Sequence, residues 1–88
     1  MAYQGQQMYE RITFPRARVL RELADGWNER QASERLGMSY TGVRSTVRDL
    51  KGICVCADTA ELGRWWRANR EAWTRFAAEA GGVERAAV

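Results

Sequence analysis

The sequence predicts an all-α protein, a compact helix-turn-helix bundle of about four helices with an extended C-terminal helix. Three observations predict it. Among 88 residues there is one proline and there are four tryptophans, which suits helices held by a few large anchors. Thr13, Asn28, Ser39 and Asp58 each stand, cap-like, before a stretch whose apolar residues recur at helical spacing. Gly26 and Gly37 stand where two of those stretches stop. The chain is 45% hydrophobic and 28% charged, a globular balance. At this length folding buries roughly 60–65% of the unfolded surface, enough for one small domain. There is little room for a deep catalytic cleft, so no enzyme is expected and a surface that grips a partner fits better.

Taken in order, residues 1–9 are polar, with Gly5 and three Gln, and are expected to form a flexible arm; Tyr9 and Ile12 are able to pack on the domain. The helix-turn-helix core is expected over residues 10–58. Its first helix starts at Thr13. Pro15 suits the first turn, where its missing N–H has no intrahelical partner anyway. Val19, Leu20, Leu23 and Ala24 form the apolar stripe, and Gly26 ends the helix. Asn28 caps a short helix over about Glu29 to Leu36, whose small Ala32 and Ser33 permit close helix approach, and Gly37 terminates it. Ser39 caps a third helix over about Tyr40 to Lys51. Val43, Val47 and Leu50 make its apolar face, and Thr41, Arg44, Ser45 and Arg48 the opposite one. Gly42 weakens this helix and suggests a close backbone contact. Gly52 is read as its end, and the alternating Ile53-Cys54-Val55-Cys56 as an extended linker or very short strand. Asp58, with Glu61 three residues on, opens a last helix from Thr59 to about Ala80. That helix, with its end over residues 59–81, is expected to complete the core, and 82–88 to form a frayed tail.

The charge is unevenly placed. The net charge is +3, and thirteen of the fourteen basic residues are Arg. Residues 11–51 hold nine basic and five acidic residues, residues 52–88 hold five of each, and residues 1–10 hold only Glu10. All the positive excess therefore lies in the helix-turn-helix segment, as a nucleic-acid footprint requires, although a solvated basic helix surface has the same composition. With no His, the Ser-His triads and the usual zinc ligands are excluded. Cys54 and Cys56 cannot build a disulfide framework, and they read as small buried hydrophobes rather than as a metal or redox pair. No cofactor and no metal site are expected. No apolar run reaches the ~20 residues of a membrane span, and the start lacks the order of a signal peptide, so a cytoplasmic protein without membrane contact is expected.

A short helix ending in Gly, a tight turn and a Ser-capped second helix form a helix-turn-helix. Such a unit lays its second helix in the major groove, with the N-terminal half at the base edges. Arg44 and Arg48 are one helical turn apart, and Arg donates two parallel hydrogen bonds to guanine O6 and N7. The run from Thr13 to Leu50, through "VLRELADGW", "ERLGMS" and "VRSTVRDL", resembles the LuxR/GerE-type helix-turn-helix domain of bacterial transcription regulators. Thr13, Val19, Leu20, Gly26, Glu34, Arg35, Leu36, Gly37, Ser39, Val43, Val47 and Leu50 fit that family's pattern. Region 4 of sigma factors has a similar pattern. The chain departs from it at Phe14-Pro15-Arg16, where a capping box is lost, and at Ala32-Ser33, Gly42 and Thr46. The resemblance implies a recognition helix from Tyr40 to Lys51, with Arg44, Ser45 and Arg48 facing bases. Phosphate contacts come from Thr41, Lys51 and the N-termini of the second and third helices, where Arg30 and Tyr40 stand. It also implies double-stranded DNA as the partner, a homodimer, and a role in transcription regulation.

On the last helix Leu62, Trp66, Asn69, Trp73, Phe76 and Ala80 follow one another at spacings of four and three. This is a coiled-coil-like seam with one polar register position. Its first half closes the core, and Trp66, Asn69, Trp73, Phe76 and Ala80 are expected to form the dimer interface. Arg64, Arg67, Arg70 and Arg75 read as mainly solvated, with Arg67 and Glu71 as an i,i+4 pair. The tryptophans read as core or interface rather than as base-stacking platforms. The rival reading is an adaptor that binds RNA polymerase or another regulator through this aromatic helix.

Overall fold

A computed structural model describes the backbone of residues 7–87 and the side chains of residues 7–80. Four helices follow a helical turn at residues 7–10: α1 (Phe14–Ala24), α2 (Glu29–Leu36), α3 (Tyr40–Cys54) and α4 (Thr59–Ala87). The described residues contain no strand. None of their helices is long and apolar enough to cross a membrane.

The helix ends follow from side-chain chemistry. The Thr13 hydroxyl accepts from the Arg16 N–H at 3.4 Å, and Pro15 sits in the first turn of α1. Asn28 accepts from the Gln31 N–H at 2.8 Å while the Gln31 side chain accepts from the Asn28 N–H at 3.0 Å, a reciprocal capping box. Ser39 accepts from the Gly42 N–H at 2.9 Å, and a Cβ on Gly42 would lie 2.9 Å from that same hydroxyl. The close approach foreseen at Gly42 is thus made by the cap of its own helix. Asp58 accepts from the Glu61 N–H at 2.9 Å, and Glu61 reaches back to the Ala57 N–H at 2.6 Å. Gly26 and Gly37 carry positive φ, 96° and 67°, and let the chain reverse after α1 and α2.

Three expectations are corrected. Residues 53–54 are not extended, because α3 runs through Gly52 to Cys54. The apolar stripe of Val43, Val47 and Leu50 continues to the buried Ile53 and Cys54, and that burial outweighs the cost of one glycine. The helix stops at Val55, which takes the left-handed conformation at φ 56°, and the Cys56 N–H closes back on the Lys51 carbonyl at 2.9 Å. Second, α4 does not end before Gly81-Gly82 but continues to Ala87, where a frayed tail was expected over 82–88. Glycine lowers helix propensity without forbidding helical dihedrals. Third, residues 7–9 of the expected arm are helical, with Met8 and Tyr9 half-buried against the core; residues 1–6 lie outside the described residues.

One core joins all four helices. Val19 and Leu20 from α1, Ala32 from α2, Val43, Val47 and Leu50 from α3 and Leu62 from α4 meet there. A fully buried side chain of this kind contributes about 1.5–3 kcal/mol relative to exposure. The most extensive packing is α1 on α4, and Gly63 allows it: a Cβ there would come within 3.2 Å of the Leu23 carbonyl. Arg67 of α4 donates to the Ala24 carbonyl at the C-terminus of α1, where the helix dipole favours a cation. It is therefore engaged with α1 rather than with Glu71. With α1 and α4 closing one side, α2 and α3 are left to present the other.

Candidate nucleic-acid interface

The expected reading face lies on the outer side of α3. Val43 and Val47 point inward and are fully buried, so helical geometry turns Arg44 and Arg48 outward, both exposed. Thr41 is exposed as well, and Tyr40, Ser45 and Lys51 are half-buried. These six line one open groove of about 460 Å³, completed by Glu29 and Val47. Arg30, the seventh expected residue, reaches the same place from α2, its guanidinium 4.3 Å from the centre of the Tyr40 ring. All seven positions are thus brought together, six on α3 and one from the first turn of α2.

The arginines around this groove are not equivalent. Arg48 donates to the Ser45 hydroxyl at 3.1 Å and stands 4.0 Å from Asp49. Asp49 also pairs with Arg16 of α1 at 3.4 Å, and Arg16 donates to the Arg11 carbonyl at 2.7 Å. Exposed pairs of this kind are worth at most about 1 kcal/mol, so they orient more than they stabilise. Arg44 instead lies 5.8 Å from the Tyr40 ring centre. Among the described residues neither Arg30 nor Arg44 forms a salt bridge.

Sequence reasoning missed Asp49, Arg16 and Glu29 as neighbours of this face. Asp49 follows Arg48 directly and could have been found there, but its bond to Arg16 spans 33 positions and leaves no local pattern. Arg35, one of the residues that carry the family resemblance, has another task. Its Nε meets Glu22 Oε1 at 2.5 Å, and its guanidinium covers the Trp27 ring at 4.5 Å, tying α2 to α1. Ser33, buried at 7% exposure, donates to the Arg30 carbonyl at 2.7 Å and steadies the start of α2.

The expected dimer interface is mostly consumed inside the chain, which is a correction. Trp66 and Trp73 are 6% and 7% exposed and pack on each other with ring centres 5.5 Å apart. The Trp73 indole N–H donates to the Ile12 carbonyl at 3.1 Å. Asn69 accepts from the Tyr9 hydroxyl at 2.9 Å and donates to the Trp65 carbonyl at 2.8 Å, so its polar groups are satisfied within the chain. Phe76 is half-buried against Tyr9, and Ala80 alone of the five is exposed. The physical reason is that the residues before α1 fold back over the seam and cover the surface a second copy was expected to cover.

Cys54 is buried, and burial with the neighbouring Cys56 pushes its thiol up to about 12. The Cys56 thiol is also raised, by burial and then by Glu61 and Asp58. Both shifts favour the thiol over the nucleophilic thiolate near neutral pH. Among the described residues no cluster of His, Cys, Asp and Glu is arranged to hold a metal ion. Comparison with protein-family models, with curated proteins and with solved structures finds no match for this chain.

Proposed function

We propose that this protein is a sequence-reading double-stranded DNA-binding protein of the LuxR/GerE helix-turn-helix type, acting in transcription regulation. In this reading α3 enters the major groove and α2 crosses the backbone. The observation that carries it is the two-sided character of α3, with Val43, Val47 and Leu50 sealed in the core and Thr41, Arg44, Ser45 and Arg48 gathered on an open groove. Arg44 and Arg48 are the proposed base readers, and Arg30, Thr41 and Lys51 the phosphate contacts. Nucleic-acid binding by cations releases counterions, so log affinity for duplex DNA is expected to fall steeply and linearly with log salt. Titration of a randomised duplex pool at several salt concentrations tests this. A flat response, or no binding at low salt, contradicts it.

One observation favours the adaptor reading. Phe14 is 43% exposed beside a small notch that Phe76, Ala77 and Ala80 help to line. That patch, not the buried tryptophans, is what an adaptor of this shape offers to RNA polymerase or another regulator. Homodimerisation has no support from Trp66, Asn69 or Trp73, whose surfaces are already used.

A further inference from the structure

Arg30, from the first turn of α2, and Arg44 of α3 share one aromatic ring, that of Tyr40 at the start of α3. Arg30 is the second residue of α2, and its guanidinium lies 4.3 Å from the Tyr40 ring centre. Tyr40 is the first residue of α3, and Arg44, one turn on, lies 5.8 Å from the same centre. The cation–π attraction here is modest, about 0.5–1 kcal/mol at an exposed site, and the surroundings work against it. Two cations near one ring repel each other, and the start of a helix carries positive partial charge that disfavours a cation. The first turn of α3 contains no acidic residue, and Glu29, the acid nearest in sequence to Arg30, pairs with neither arginine although it lines the groove. An arrangement of this kind gains most when an anion or a guanine edge arrives.

We infer that Tyr40 is a positioning residue for DNA recognition, its ring holding Arg44 toward a guanine edge and Arg30 toward the adjacent phosphate. This rests on the DNA-reading proposal and adds a division of labour to it. A guanidinium stacked on an aromatic ring keeps its in-plane N–H groups free to donate. The ring thus restricts the arginine without using its donors. Ser45, by contrast, uses one of Arg48's own donors, and Asp49 faces it at 4.0 Å. The ring, not the hydroxyl, is the working part: no hydrogen bond from Tyr40 to a protein group is formed among the described residues, so the π face is what the two guanidiniums share.

The test uses the full chain and a duplex selected from a randomised pool by the wild type. Affinity is measured for that duplex and for versions in which single guanines are replaced by 7-deazaguanine, which lacks the N7 acceptor. Arg44→Ala identifies the guanine whose replacement no longer matters. Tyr40→Leu is expected to lose about three- to thirtyfold in affinity and most of the discrimination at that same guanine. Tyr40→Phe is expected to retain both. Arg30→Ala is expected to weaken all duplexes alike and to reduce the salt slope by about one. Thermal unfolding of each variant confirms that the chain is folded. Unchanged discrimination in Tyr40→Leu, or a loss in Tyr40→Phe as large as in Tyr40→Leu, overturns the positioning role. Failure of the wild type to enrich any duplex overturns the DNA reading itself, and the two failures are told apart at the first step.

Discussion

The α1–α4 side and the α2–α3 side of this molecule are built from similar residues, arginines and large apolar groups, but arrange them to opposite ends. On the α1–α4 side Trp66 and Trp73 are buried, and Arg67 reaches a helix C-terminus, where its charge supports the fold. On the α2–α3 side the apolar stripe is buried, while Arg30, Arg44 and Arg48 stand outside, two of them near helix N-termini. A cation at a helix C-terminus stabilises the helix, and a cation at an N-terminus does not. The net charge of +3 does not distinguish the two, but the contacts of Arg67 on one side and of Arg30 and Arg44 on the other do.

Substitutions separate the sides. The largest effect is expected from Trp73→Ala, which removes a 7%-exposed indole and its bond to the Ile12 carbonyl. It should cost about 3–5 kcal/mol of stability. Chemical denaturation at several protein concentrations checks it. The same loss at every concentration places Trp73 in the chain's own core, whereas a folded variant that has merely dissociated would restore the dimer seam. A smaller effect of opposite sign is expected at the end of α3. Val55 is 83% exposed yet has φ 56°, a conformation that costs a residue with a Cβ about 1–2 kcal/mol. Val55→Gly should raise stability by about 1 kcal/mol, less the entropy glycine adds to the unfolded chain, and leave duplex binding unchanged. A loss of stability would show that α3 does not end as described.

Much of the fold was legible because caps are local. Thr13, Asn28, Ser39 and Asp58 each act within three residues of themselves, and Gly26 and Gly37 turn the chain where they stand. The end of α3 was not legible because a valine occupies the left-handed position that usually announces itself as glycine. The outer face of α3 was legible because α3 is regular: once Val43, Val47 and Leu50 point inward, the outward set is determined. The fate of the α4 seam was not. Its periodicity marked Trp66 and Trp73 as a face for a second copy to cover, but what buries them comes from residues about sixty positions away, at Tyr9 and Ile12. A seam pattern states that a face is covered and does not state by what. The Arg30–Tyr40 contact was hidden for the same reason, since each residue looks ordinary within its own helix.

Whether α3 reads duplex DNA through its outer arginines is decided by Arg44→Ala combined with Arg48→Ala, measured against the selected duplex and a scrambled one. Each good arginine–guanine contact is worth about 1–3 kcal/mol of discrimination. The double variant is expected to keep its helix content and unfolding midpoint, both side chains being exposed, while its preference for the selected duplex collapses. A folded double variant that still prefers the selected duplex would contradict that reading role.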